Sequence, residues 1–115
     1  RGVFDDDDDD DDAMILRNMC LNILANSLRA YGKVPDFLLR EPLRPALLQD
    51  LKDAEKHPNT ALLSAKCLEY FAQGDHNHNH DTTELVEAFE IAQKVGEARH
   101  ANLMRQAQKC MIAIR

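Results

Sequence analysis

The chain repeats itself at a spacing of 43 residues. Shifted by that amount, His57 falls on His100, Asn59 on Asn102, Lys66 on Lys109 and Cys67 on Cys110. The same shift lays Ala46 on Phe89, Leu48 on Ile91 and Leu68 on Met111. A third copy follows at a shift of 47, where Asn18-Met19-Cys20-Leu21 matches Ala65-Lys66-Cys67-Leu68. All three cysteines thereby hold one position of a recurring long helix, a place where a small side chain lets adjacent units stack closely. A fixed period of this length marks folds in which each unit stacks on its neighbours to bury its apolar side.

The local pattern inside each unit is helical. From Ala13 to Tyr31, Leu16, Met19, Cys20, Ile23, Leu24, Leu28 and Tyr31 recur every three or four residues, and Gly32 follows as a stop. Asn18, Asn22, Asn26 and Arg29 line up on the other side of that helix. A single helical turn from Asp36 fits between Lys33 and Arg40. Pro42 suits the first position of a second helix at about 41–56, with Leu43, Ala46, Leu47, Leu48, Leu51 and Ala54 as its inward stripe. Pro58 opens a third at 58–73, with Leu62, Leu63, Cys67, Leu68 and Phe71 inward and Lys66, Glu69 and Gln73 as a polar row. A fourth, at about 82–95, begins at a capping pair of Asp81 and Glu84 and ends at Gly96. Its apolar side is Leu85, Phe89, Ile91, Ala92 and Val95. The fifth, at 97–115, carries Leu103, Met104, Ala107, Cys110, Met111 and Ile114. No segment alternates with period two, so the expected fold is all-α.

Charge is unevenly placed. The formal net charge is −6, yet Asp5 to Asp12 is an unbroken run of eight aspartates; without them twelve acids face fourteen Lys and Arg, leaving the body near +2. The run reads as a disordered acidic lead-in over residues 1–12 whose last members cap the first helix. The nearly balanced body lacks the basic stripe of a nucleic-acid binder, so no nucleic-acid partner is expected. Three widely spaced cysteines on apolar stripes imply reduced thiols rather than a disulfide framework, and a cytoplasmic or nuclear setting. No secretory leader or bilayer-length apolar run is present, and no membrane partner is expected. The last helix lacks a stop signal, which predicts a segment of a longer array, open to self-association through its uncapped ends.

A period of 43 to 47 residues, with two or three helices per unit, resembles the armadillo and HEAT families over most of residues 13–115. The match would amount to two or three repeats. The Gly that armadillo units carry after their first short helix has no counterpart here, so armadillo and HEAT both stay open, with a compact helical bundle as the alternative. The resemblance implies a right-handed superhelix, an α-solenoid, whose long helices line a concave face that holds an extended peptide. The rows it assigns to that face are Asn18, Asn22, Asn26 and Arg29; Lys66, Glu69 and Gln73; and Asn102, Arg105, Gln106 and Lys109. Side-chain amides can bond both groups of a peptide backbone, and the cations would select acidic partner groups.

Chemistry is harder to find. His76, His78 and His80 alternate in a polar loop at 74–81, where same-side imidazoles suit zinc or copper, but no cysteine lies nearby to complete a site. A solvated loop is the simpler reading, and no metal or cofactor is expected. His57 and His100 each precede a cysteine by ten residues, about 15 Å along a helix and too far to activate a thiolate. No phosphate loop or nucleophile elbow occurs. The expectation is therefore a non-enzymatic adaptor or scaffold module that binds a protein or peptide. Two alternatives stand beside it: a purely structural stretch of a larger solenoid, and a loop-based metal-binding module.

Overall fold

The computed structural model describes residues 6–39, 43–74 and 83–114, with side chains within 12–38, 43–71 and 83–114. Among them the chain forms helices α1 (Asp6–Tyr31), α2 (Asp36–Leu39), α3 (Leu43–Lys52), α4 (Pro58–Gly74), α5 (Thr83–Arg99) and α6 (Ala101–Ile114), and no strand. The all-α expectation holds. The Pro42 and Asp81 start signals and the histidine loop fall outside the described residues.

Local chemistry sets most boundaries. Gly32 ends α1 by adopting φ 92°, and its N–H reaches the Leu28 carbonyl at 2.8 Å. That left-handed stop costs little without a Cβ. Pro58 opens α4, whose first bond runs from Ala61 N–H to the His57 carbonyl at 3.0 Å. His100 sits at the matching place before α6, with Met104 N–H donating to its carbonyl at 3.1 Å. Its Nδ1 also accepts from Leu103 N–H at 3.2 Å, an imidazole serving as an N-cap.

Three expectations are corrected. The helical backbone of α1 reaches back to Asp6, so the aspartate run is not a disordered lead-in throughout. No Gly or Pro interrupts it, and aspartates near a helix N-terminus are favoured by the dipole. Next, Gly96 does not end the fourth helix; α5 continues to Arg99, with His100 N–H bonded to the Gly96 carbonyl at 2.8 Å. Gly96 instead lets α6 come close, since a Cβ there would lie 2.8 Å from the Met104 Cα. Finally, the outward side of α1 was expected to be inward. Leu21, Ala25 and Leu28 are its buried residues, whereas Leu16, Met19, Cys20, Ile23 and Tyr31 are exposed. Ile91 of α5 is exposed as well.

The helices form two layers. In one, α1 lies against α4 and α4 against α6, while α1 and α6 do not meet. All three run in the same sense: from one end to the other, Asn18 pairs with Thr60 and Leu21 with Cys67, then Asn59 with His100 and Ala65 with Cys110. In the other layer α3 and α5 pack on each other and back onto α4 and α6. The core between them holds Leu47, Leu51, Leu68, Phe71, Leu85, Phe89 and Leu103, each essentially free of solvent. Burying such side chains contributes about 1.5–3 kcal/mol apiece.

The two joints of the first layer are alike. The Cys67 Sγ–H points to the Leu21 carbonyl of α1 at 3.7 Å, and the Cys110 Sγ–H to the Ala65 carbonyl of α4 at 3.3 Å. Burial pushes both thiols up to about 12. Asp50 adds to the effect at Cys67; at Cys110 a hydrogen bond from Gln106 works against it. Each cysteine is a small plug where one long helix rests on the main chain of the one before.

Candidate partner-binding face

Because α1, α4 and α6 run side by side in the same sense, residues at matching positions come together along one open surface. Asn22, Asn26 and Arg29 of α1 share a concavity with Lys66, Glu69 and Tyr70 of α4 and with Gln106 and Lys109 of α6. A second hollow continues it along α4 and α6, lined by Leu62, Lys66, Asn102, Arg105, Gln106 and Lys109. Nine of the eleven expected face residues therefore lie on one continuous surface. Asn18 does not: its Oδ1 accepts the Thr60 hydroxyl at 2.5 Å, so it ties α1 to α4 instead. The side chain of Gln73 lies outside the described residues.

The surface is electropositive. Arg29, Lys66, Arg105 and Lys109 stand against one acid, Glu69, which is already engaged. Gln106 Nε2 donates to Glu69 Oε1 at 2.8 Å and Lys109 Nζ lies 3.6 Å from Oε2. Arg105 Nη2 donates to Asn102 Oδ1 at 2.6 Å, which steadies a guanidinium at the rim. Amides of Asn22, Asn26 and Gln106 sit among these cations. Such a set offers paired donors and acceptors to a peptide backbone and positive charge to acidic side chains.

A polar cluster on the other side of the α1–α4 joint was not foreseen. Asp50 of α3 is buried and accepts from Arg17 of α1: Nε to both carboxylate oxygens at 3.1 Å, and Nη2 to Oδ2 at 2.9 Å. The fully buried Ser64 of α4 donates its hydroxyl to the same Oδ2 at 2.6 Å. Met14, Arg17, Asp50, Asp53, His57 and Thr60 line a small cleft there. Arg17, Asp50, Thr60 and Ser64 are each satisfied by a neighbour, so the cluster reads as a pin joining three helices. The alternation of apolar residues hides it, because Asp50 occupies an inward position where the pattern asks for a hydrophobe.

No group of three or more His, Cys, Asp or Glu residues has metal-binding geometry among the described residues. The histidines at 76, 78 and 80 lie outside them. No helix among the described residues is long and apolar enough to cross a membrane. No family model, no curated protein and no solved structure matches this chain. The armadillo and HEAT resemblance therefore rests on the repeated residues themselves.

Proposed function

We propose that the chain is a non-enzymatic protein-interaction module, a helical array of armadillo or HEAT character, that holds an acidic peptide or helical segment along α1, α4 and α6. The observation that carries this reading is the convergence of amides and four cations from three like-directed helices on one open face, with its one acid neutralised. Affinity would come from the apolar parts of Leu62 and Tyr70 between the polar rows, and selectivity from the cations. A purely structural stretch of a longer array is the competing reading, favoured by the likeness of the two cysteine joints.

A pool of acidic peptides, set against a basic pool of equal length, separates the two. The chain should retain acidic peptides, and Lys66→Glu with Lys109→Glu should weaken that retention about tenfold or more, since two charges reverse. Higher salt should weaken it as well. Retention equal for both pools, or unchanged in the double variant with helicity intact, would leave the structural reading in its place.

A further inference from the structure

The outer side of α1 gathers four of the large hydrophobic side chains left exposed among the described residues. Ile15, Leu16, Met19 and Ile23 are each 57–66% exposed, and Cys20 stands exposed among them. Leu16, Cys20 and Ile23 match Leu63, Cys67 and Tyr70 of α4 at the shift of 47, and α4 uses that side to rest on α1. At the further shift of 43, α6 uses Gln106 and Cys110 of the same row to rest on α4, at Glu69 and at the Ala65 carbonyl. So α1 presents the resting side of a long helix with no earlier helix beneath it among the described residues.

The opposite end of the row presents the receiving side. On α1 that side is Asn18, Leu21 and Ala25; on α4, 44 residues on, it is Leu62, Ala65 and Glu69. A further 43 residues gives Arg105, Gln108 and Ile112 of α6. All three are exposed, Ile112 at 73%. One molecule thus carries both halves of the joint it already makes twice.

We propose that the outer face of α1 binds the far side of α6 in a second copy of this chain, head to tail, in the register that joins α4 to α1 and α6 to α4. Carried over, that register sets Cys20 over Gln108, as Cys67 sits over Leu21 and Cys110 over Ala65. It brings Ile23 toward Ile112. It also sets the aspartate-bearing first turns of α1 beside Asn102 and Arg105 of the other copy, so that the acidic end of one molecule meets a cation of the next. Such a contact is heterologous, so association grows with concentration instead of stopping at a dimer. Asn102 and Arg105 belong also to the face assigned above to peptide binding, whereas Leu16, Cys20, Ile23, Gln108 and Ile112 lie outside it, so changes at residues 20, 23 and 108 test this contact apart from peptide binding.

The test uses the thiols. Cys67 and Cys110 are buried, which leaves Cys20 as the exposed one. The unaltered chain is mixed with a size-tagged Cys20→Ser/Gln108→Cys variant and oxidised with diamide. The mixed disulfide between Cys20 and residue 108 should outweigh both like-with-like products, and sedimentation velocity should show growth beyond dimer with concentration. Adding Ile23→Lys to the unaltered partner should lower the mixed product about tenfold or more, at unchanged helicity, because a lysine would be buried in an apolar contact. Predominance of the Cys20–Cys20 product would mean a symmetric α1–α1 pair and overturn the proposal. Products in merely statistical proportion, or a monomer at every concentration, would overturn it too.

Discussion

Helices α1 and α4 carry nearly the same stripe and meet opposite fates. In α4, Cys67 and Phe71 are buried and Leu63 and Tyr70 are half-buried, since α1 lies on one side, α6 on the other and α3 behind. In α1 the matching Leu16, Cys20 and Ile23 are exposed, because among the described residues only α4 packs along it. An amphipathic pattern thus states which side of a helix is able to be buried. Whether it is buried depends on a neighbour, and that is a property of position in the row.

The widest consequence of that difference is in stability. Phe71→Ala should cost about 3–5 kcal/mol, because it empties a site that is 1% exposed with neighbours on every side. Ile23→Ala, at 66% exposure, should change stability by less than about 0.5 kcal/mol in dilute solution. Urea unfolding followed by circular dichroism compares them directly. Similar losses at the two sites would mean that α1's outer face is covered even in the isolated chain, and the contrast between edge and centre would collapse.

A smaller effect separates the two kinds of polar tie. Asp50→Ala should cost about 2–3 kcal/mol, since it strands the buried Ser64 hydroxyl and removes the partner of Arg17. Arg17 is partly exposed and recovers some hydration, which keeps the figure below that of a fully buried pair. The link between Lys52 and Glu84, 3.3 Å apart with both side chains exposed, should be worth at most a few tenths when Lys52 becomes Ala. An Asp50→Ala loss no larger than the Lys52→Ala loss would remove the idea that this carboxylate pins α1 to α3 and α4.

What the sequence made legible follows the same division. Helix type, the Pro58 start and the Gly32 stop were readable because they rest on local chemistry. The repeat placed Cys67 and Cys110 at equivalent joints, and it gathered most of the polar face, because equal register on like-directed helices puts equal positions side by side. Three things were not readable. Gly96 has the look of a helix stop, but its conformation is ordinary helix and its purpose is the nearness of Met104 across the α5–α6 contact. Asp50 hides in an apolar stripe because its partners, Arg17 and Ser64, lie 33 and 14 residues away. Ile23 and Leu16 satisfy helical spacing as well as Leu28 does; their exposure comes from a missing neighbour, which no local rule encodes.

A further effect comes from the two buried cysteines, and it is read through pH. In the fold Cys67 and Cys110 are held up to about 12 by burial, against 9.0 for an ordinary thiol. A pKa raised in the fold means that the neutral thiol favours folding fully at pH below 9, and that this contribution drains as pH rises from 9 toward 12. At pH 10 the loss is on the order of 1 kcal/mol per thiol. Urea midpoints taken between pH 8 and 11 should therefore fall with pH, less so in a Cys67→Ala/Cys110→Ala chain. A slope unchanged in the double variant would remove the two buried thiols as the source of the alkaline loss.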